Sequence, residues 1–221
     1  MVCKPGMLCA LSALSALVVL GPVLAADADT IFNNFGPGDT FSAGGRLLQG
    51  ETFGTIGNVD QAITFTVGPS SYLLTQIVLG VGVAGPPNTG TGPLDVVIAS
   101  DAAGLPGGVL QTSALNVNVT GQQVLHAPFP GTLQLDANTT YWVIADAKGN
   151  FDGGWGFNST GDIGPTAGRS DNGPWNYRPT DERMATRVEG RVVPEPASLV
   201  LLGIGGLGLI GLRNRRRVIW S

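Results

Sequence analysis

The sequence contains few cysteines, few histidines and little charge, and each shortage excludes a class of function. Both cysteines, Cys3 and Cys9, lie in the first ten residues, and His126 is the only histidine in 221 residues. This supply of ligands is poorly suited to zinc. A Ser-His-Asp hydrolase would have to use His126, and no Gly-x-Ser-x-Gly turn or dinucleotide-binding fingerprint occurs between residues 27 and 192.

The N-terminus has the three regions of a secretory signal peptide. Lys4 gives a positive start, residues 7–20 form an apolar run, and Val23-Leu24-Ala25 places small residues at the usual cleavage spacing. We therefore expect residues 1–25 to be a signal peptide that engages the Sec translocon and signal peptidase. Both cysteines leave with it, so the mature chain has none left for a disulfide.

The mature domain, residues 27–192, is acidic. It contains seven basic residues against fifteen acidic ones, a net charge of −8, whereas the basic termini bring the whole chain to −4. A domain of this charge repels polyanions, so we expect no binding to nucleic acid.

Alternation of apolar and polar side chains predicts an all-β domain. The alternation is clear in five runs of residues: 63–67, 77–83, 94–98, 115–119 and 186–192. Turn signals such as Gly104-Leu105-Pro106-Gly107 separate the runs, and no helical period is sustained. The pattern favours a β-sandwich or jelly roll over residues 27–192, with Val188 and Val192 on one face of the last strand.

The C-terminus combines three elements. Pro194, Glu195 and Pro196 come first, an apolar stretch follows, and the basic cluster consists of Arg213, Arg215, Arg216 and Arg217. The uncharged residues 198–212 prefer hydrocarbon to water, although at ~1.5 Å per residue a helix there covers roughly 22 Å of a ~30 Å hydrocarbon core. The prolines place Glu195 on an extended segment, and the arginines hold the C-terminus in the cytoplasm.

This tail resembles the PEP-CTERM sorting signal of exported bacterial proteins, in which Pro-Glu-Pro precedes a hydrophobic span and a basic cluster. One departure is that Val218–Ser221 extends past the arginines. The resemblance implies recognition by an exosortase, a membrane-embedded protease-transpeptidase of Gram-negative bacteria often encoded beside exopolysaccharide systems. Residues 193–217 would then be a sorting signal whose transmembrane helix anchors the chain in the inner membrane until processing sends it to the cell surface or beyond. An ordinary tail anchor is the alternative.

Motifs within the domain resemble the choice-of-anchor R domain of bacterial surface proteins. They are a valine-rich strand, Ser100-Asp101, then Gly104-Leu105-Pro106-Gly107, and later residues 135–142, which read Leu-Asp-Ala-Asn-Thr-Thr-Tyr-Trp. The resemblance implies a β-sandwich without an assigned activity, and it supplies no catalytic residue.

Two groups of residues are candidates for ligand binding. Asp146, Asn150 and Asp152 have a spacing that suits calcium, but Lys148 stands among them where an acid or amide is expected, so a solvated loop is the favoured interpretation. Trp175 and Tyr177 are candidates for stacking on sugar rings.

Trp142 and Trp155 are expected in the core rather than at a ligand. We therefore expect no enzyme and no required cofactor. The favoured role is a structural or adhesive one at the cell surface or in the extracellular matrix, linked to exopolysaccharide and biofilm. The alternatives are a carbohydrate-binding module and, less favoured, a secreted hydrolase.

Overall fold

The structure is a computed structural model that describes residues 28–53, 57–83 and 90–194. Every regular element within these ranges is a β-strand. The expected signal peptide and transmembrane helix lie outside the described residues. Within the described part of the chain, there is no helix of the length and apolarity that crossing a membrane requires.

The strands are named in chain order. They are β1 (Asp29–Asn33), β2 (Phe41–Gln49), β3 (Val59–Thr66), β4 (Tyr72–Gly82), β5 (Thr91–Ala102), β6 (Leu105–Asn118), β7 (Gln122–Pro128), β8 (Gln134–Leu135), β9 (Thr140–Ala147), β10 (Asp152–Asn158), β11 (Ile163–Ser170), β12 (Asn176–Glu182) and β13 (Thr186–Val192).

Hydrogen bonds join these strands into one open antiparallel sheet. The main path is β1-β13-β4-β10-β2-β3-β9-β5-β6, with β7 and β8 added at β4 and the β11–β12 pair added at β3. The connection between β2 and β3 is a single residue pair, Gln49 with Val59. The all-β prediction is confirmed, and the sandwich or jelly roll arrangement stays a prediction.

The sheet curves so that its two halves share one apolar core. Phe32 of β1 and Phe65 of β3 lie five positions apart along the path, yet their ring centroids are 6.1 Å apart. Ile77 of β4 and Val143 of β9 are fully buried in this same core. Burial of this apolar surface at roughly 25 cal/mol per Å² supplies the main stabilising free energy.

Both tryptophans that were expected in the core are buried. Trp155 lies in the shared core, and its Nε1 donates to the carbonyl oxygen of Ala185 at 2.9 Å. Trp142 lies on the opposite face of the sheet in a smaller apolar cluster, where its Nε1 donates to Asp101 Oδ1 at 2.8 Å. Each indole N–H has a partner, as burial requires.

Candidate functional site

The last strand of the domain ends where the sorting signal was expected to begin. β13 pairs with β1 on one edge and with β4 on the other, ending at the pair of Val192 with Tyr72. The next backbone N–H, that of Val193, donates to the carbonyl oxygen of Ser71 at 2.8 Å. The proposed motif therefore starts without a linker at the edge of the folded domain.

A shallow groove lies at this exit point. Its volume is about 380 Å³, and its lining includes Val193, Pro194, Ser71 and Ala137. Pro194 is the last described residue. Glu195, Pro196 and the arginines of the basic cluster lie outside the described residues.

The final strand follows the expected alternation up to Gly190. Val188 is fully buried, but Val192 is 40% exposed. The register with β4 shifts between Glu189 and Gly190, which marks a β-bulge. The residue left over in this shift is Thr75 of β4, so the alternation along β13 itself continues through buried Val188 and Gly190, and that Val188 and Val192 share a face stays a prediction.

The two aromatic candidates have different environments. Trp175 is half-buried against the cluster around Trp142, and the guanidinium carbon of Arg169 lies 4.5 Å from its ring centroid. Tyr177 lies on β12 opposite Ala167 and is 42% exposed. Tyr177 therefore presents aromatic surface to solvent, whereas one face of Trp175 is covered by a cation.

A polar pocket of about 200 Å³ lies between β3, β11 and β12. Asn176 and Arg178 of β12 line it, and because strand side chains alternate, Tyr177 lies on the opposite face. Gln61, Gly168 and Asn176 are adjacent in the register of the three strands. Gln61 Oε1 and Arg178 Nη1 are buried there without hydrogen-bond partners. A Cβ at Gly168 would lie 2.8 Å from Gln61 Oε1, so glycine leaves room for these polar groups to converge.

Sequence reasoning missed this pocket, because Gln61 and Arg178 become neighbours only through strand pairing. The one signal available in advance was its closeness along the chain to Trp175 and Tyr177.

The calcium candidates are spread over the end of β9, the turn that follows it and the start of β10. Asp146 is the last but one residue of β9, and its carboxylate is 2.7 Å from the ammonium group of Lys148. Asp152 begins β10, opposite Gln49, and is 3% exposed. Within the described ranges, no three His, Cys, Asp or Glu side chains form a group suited to a metal ion. Calcium binding through Asp146, Asn150 and Asp152 stays a prediction.

Asp60 is a buried carboxylate near Asp146. Arg169 Nε donates to its Oδ2 at 2.7 Å. Burial, followed by the negative charge of Asp146, raises the pKa of Asp60 from 3.8 to about 6. Burial and Asp146 also raise the pKa of Asp95, which lies opposite Asp146 on β5. These carboxylates and Arg169 form a charged row across the sheet.

His126 lies on β7 opposite Val78 and is exposed. Between residues 102 and 135 the sequence has no aspartate or glutamate that could orient its imidazole from its own strand or from β6.

The family comparison matches the tail alone. No curated protein matches this chain. A family model described as the PEP-CTERM protein-sorting motif matches residues 192–217. That range begins at the last residue of β13 and ends at the last arginine of the basic cluster. The chain therefore carries a PEP-CTERM protein-sorting motif, which is a recognition signal for exosortase and implies export with membrane anchoring through the C-terminal tail before cleavage.

Proposed function

We propose that the protein is a surface or extracellular-matrix protein of a Gram-negative bacterium, with a structural or adhesive role linked to exopolysaccharide and biofilm rather than an enzymatic one. The observation that carries the proposal is the sorting motif at residues 192–217, fused directly to β13. A folded β domain joined to a removable membrane tail suits a protein that acts after its release from the membrane.

The path to the surface follows from the order of the segments. Residues 1–25 take the chain to the Sec translocon, and signal peptidase removes them. Residues 197–212 then hold it in the inner membrane while exosortase acts near Glu195. The choice-of-anchor R resemblance and the sandwich arrangement stay predictions that agree with this role.

Mass spectrometry of the released protein tests the sorting step. In cells that produce the matching exosortase, we expect the released protein to lack peptides containing Trp220. In cells without that exosortase, we expect the tail to stay attached and the protein to stay in the membrane fraction. Released protein that still carries Trp220 would contradict the proposal.

Binding to polysaccharide is a second candidate, favoured by one observation. In the pocket between β3, β11 and β12, Gln61 Oε1 can accept, and Arg178 Nη1 can donate, a hydrogen bond. A pocket in which a few polar groups converge is typical of sites for small polar ligands.

A glycan array tests this candidate. We expect Arg178→Gln to lose binding about tenfold or more, since the lost contact is worth about 1.4 kcal/mol or more. The matched control is Asn116→Ala, an exposed change on β6 that should leave binding unaltered. The absence of a wild-type signal, or equal signals from all variants, would exclude this site.

A further inference from the structure

The edge of the sheet formed by β6 has no partner among the described residues. β6 is the last strand of the hydrogen-bonded path and pairs with β5 alone. The strand is 14 residues long, so a long row of backbone N–H and C=O groups faces outward. Such a row is a template for another β-strand.

This edge is also without charge. The sequence has no Asp, Glu, Lys or Arg from residue 102 to residue 135, a stretch that contains all of β6 and β7. The same mature domain has a net charge of −8 and 22 charged side chains elsewhere. Proteins commonly protect an edge strand with charged side chains, and this edge lacks that protection.

The geometry of β6 suits strand addition. From Gln111 to Asn118 its pairing with β5 has no register shift, and the irregularities lie nearer the hairpin. Side chains alternate over this part: Ser113 and Val117 are buried, and Thr112, Ala114 and Asn116 are exposed. An added strand would thus meet a regular edge whose register is fixed by the buried face.

We propose that β6 pairs antiparallel with β6 of a second copy of this chain. A two-fold pairing brings identical uncharged surfaces together, so two domains that each carry a charge of −8 can meet without placing like charges in contact. Near the hairpin, Val109 is 64% and Leu110 43% exposed, which adds apolar surface at the end of the contact. The inference goes beyond the proposed function and does not depend on tail processing.

Cysteine cross-linking tests the pairing in the exported full chain, in which the two native cysteines belong to the signal peptide. Single changes Thr112→Cys, Ala114→Cys and Asn116→Cys place a thiol on the exposed face of β6. Directly opposed residues of an antiparallel pair have Cβ atoms about 4.5–5.5 Å apart, and diagonal ones remain within reach of a short bismaleimide. We expect covalent dimers from at least one of the three.

The matched control is Thr180→Cys, an exposed position on the free edge strand β12, which should stay monomeric. Three monomeric β6 variants, or equal cross-linking by Thr180→Cys, would overturn the proposal. Cross-links only to a different protein would overturn the identity of the partner.

A second variant tests the role of the missing charge. Thr112→Lys combined with Asn116→Lys changes two exposed side chains and puts like charges opposite each other in the pair. We expect the dissociation constant of the dimer, measured by sedimentation, to rise about tenfold or more. An unchanged dimer, with the fold verified by circular dichroism, would contradict the proposal, as would a wild-type chain that stays monomeric.

Discussion

The free edge strands β12 and β6 occupy two borders of the same half of the sheet, and they differ in charge. β12 is seven residues long and contains Arg178, Pro179, Asp181 and Glu182. β6 is twice as long and contains no charged residue. One border therefore has charged side chains that discourage strand addition, whereas the other has no charge, and its proline, Pro106, lies near the hairpin. Charged side chains therefore protect the free edge at β12 but not the free edge at β6.

The charges at the β12 border also take part in packing. Arg46 of β2 forms an ion pair with Asp181, and Thr166 Oγ1 donates to the same carboxylate at 3.2 Å. On the neighbouring strand, Arg169 binds buried Asp60. The stability of this border should accordingly respond to charge and pH, and that of the β6 border should not. The following predictions test this contrast, from the largest effect to the smallest.

The largest expected effect is the pH dependence that Asp60 confers. Its pKa is about 6 in the folded chain against an ordinary 3.8, so between these values the folded carboxyl keeps a proton that the unfolded one releases. The free energy of unfolding should therefore fall as pH rises from about 4 to about 6 and then level off, by up to about 3 kcal/mol.

Urea unfolding at a series of pH values measures the effect. Asp60→Asn should remove most of this slope, because asparagine does not titrate and can still accept from Arg169. Asp136→Asn, at an exposed carboxylate, is the control and should keep the wild-type slope. An Asp60→Asn variant with the wild-type slope would show that other groups, such as buried Asp152, are responsible.

The second effect concerns the ion pair at the β12 border. Asp181→Ala removes the partner of Arg46 and the acceptor of the fully buried Thr166. We expect a loss of about 2 kcal/mol in the free energy of unfolding, less than for a fully buried pair because both charged side chains are partly exposed. Asn116→Ala on β6 should cost less than about 0.5 kcal/mol. Equal losses of unfolding free energy from Asp181→Ala and Asn116→Ala would contradict the proposed difference between the β12 and β6 edges.

The strands with clear alternation could be predicted from the sequence. The runs at 63–67, 77–83 and 94–98 lie mainly within β3, β4 and β5, and the last strand has the predicted bounds Thr186–Val192. β2 and β10 could not be recognised this way, since both contain consecutive glycines. These two strands need glycines because their backbones approach closely. A Cβ at Gly45 would lie 2.3 Å from the carbonyl oxygen of Trp155.

The candidate sites also differ in whether a local sequence pattern is enough to predict them. The sorting motif is local in sequence, so its residues can be recognised without a fold. The polar pocket and the charged row depend on register: Gln61 meets Gly168, and Asp60 meets Arg169, only because β3 pairs with β11. Alternation predicts which face a residue occupies, but not which strand lies beside it.

The third effect is the contact of Trp175 with Arg169. Trp175→Ala removes a ring 4.5 Å from the guanidinium, together with its packing on the cluster around Trp142. Because Trp175 is only half-buried, we expect a loss of about 1 kcal/mol in the free energy of unfolding. Trp175→Phe keeps an aromatic face and should restore at least half of it. A loss as large as that of a core tryptophan, ~3–5 kcal/mol, would contradict this environment.

The smallest expected effect is that of a charge introduced on β6, and it tests whether folding requires this strand to be uncharged. Val109→Lys adds a charge to β6 at a side chain that is 64% exposed, so the free energy of unfolding should change by less than about 0.5 kcal/mol. Measured by urea unfolding at low protein concentration, such tolerance would mean that folding does not require an uncharged strand. A loss above 1 kcal/mol would instead attribute the absence of charge to packing within one chain. If the monomer tolerates charge on β6 and lysines at Thr112 and Asn116 weaken the dimer, then β6 is uncharged because it contacts a second chain.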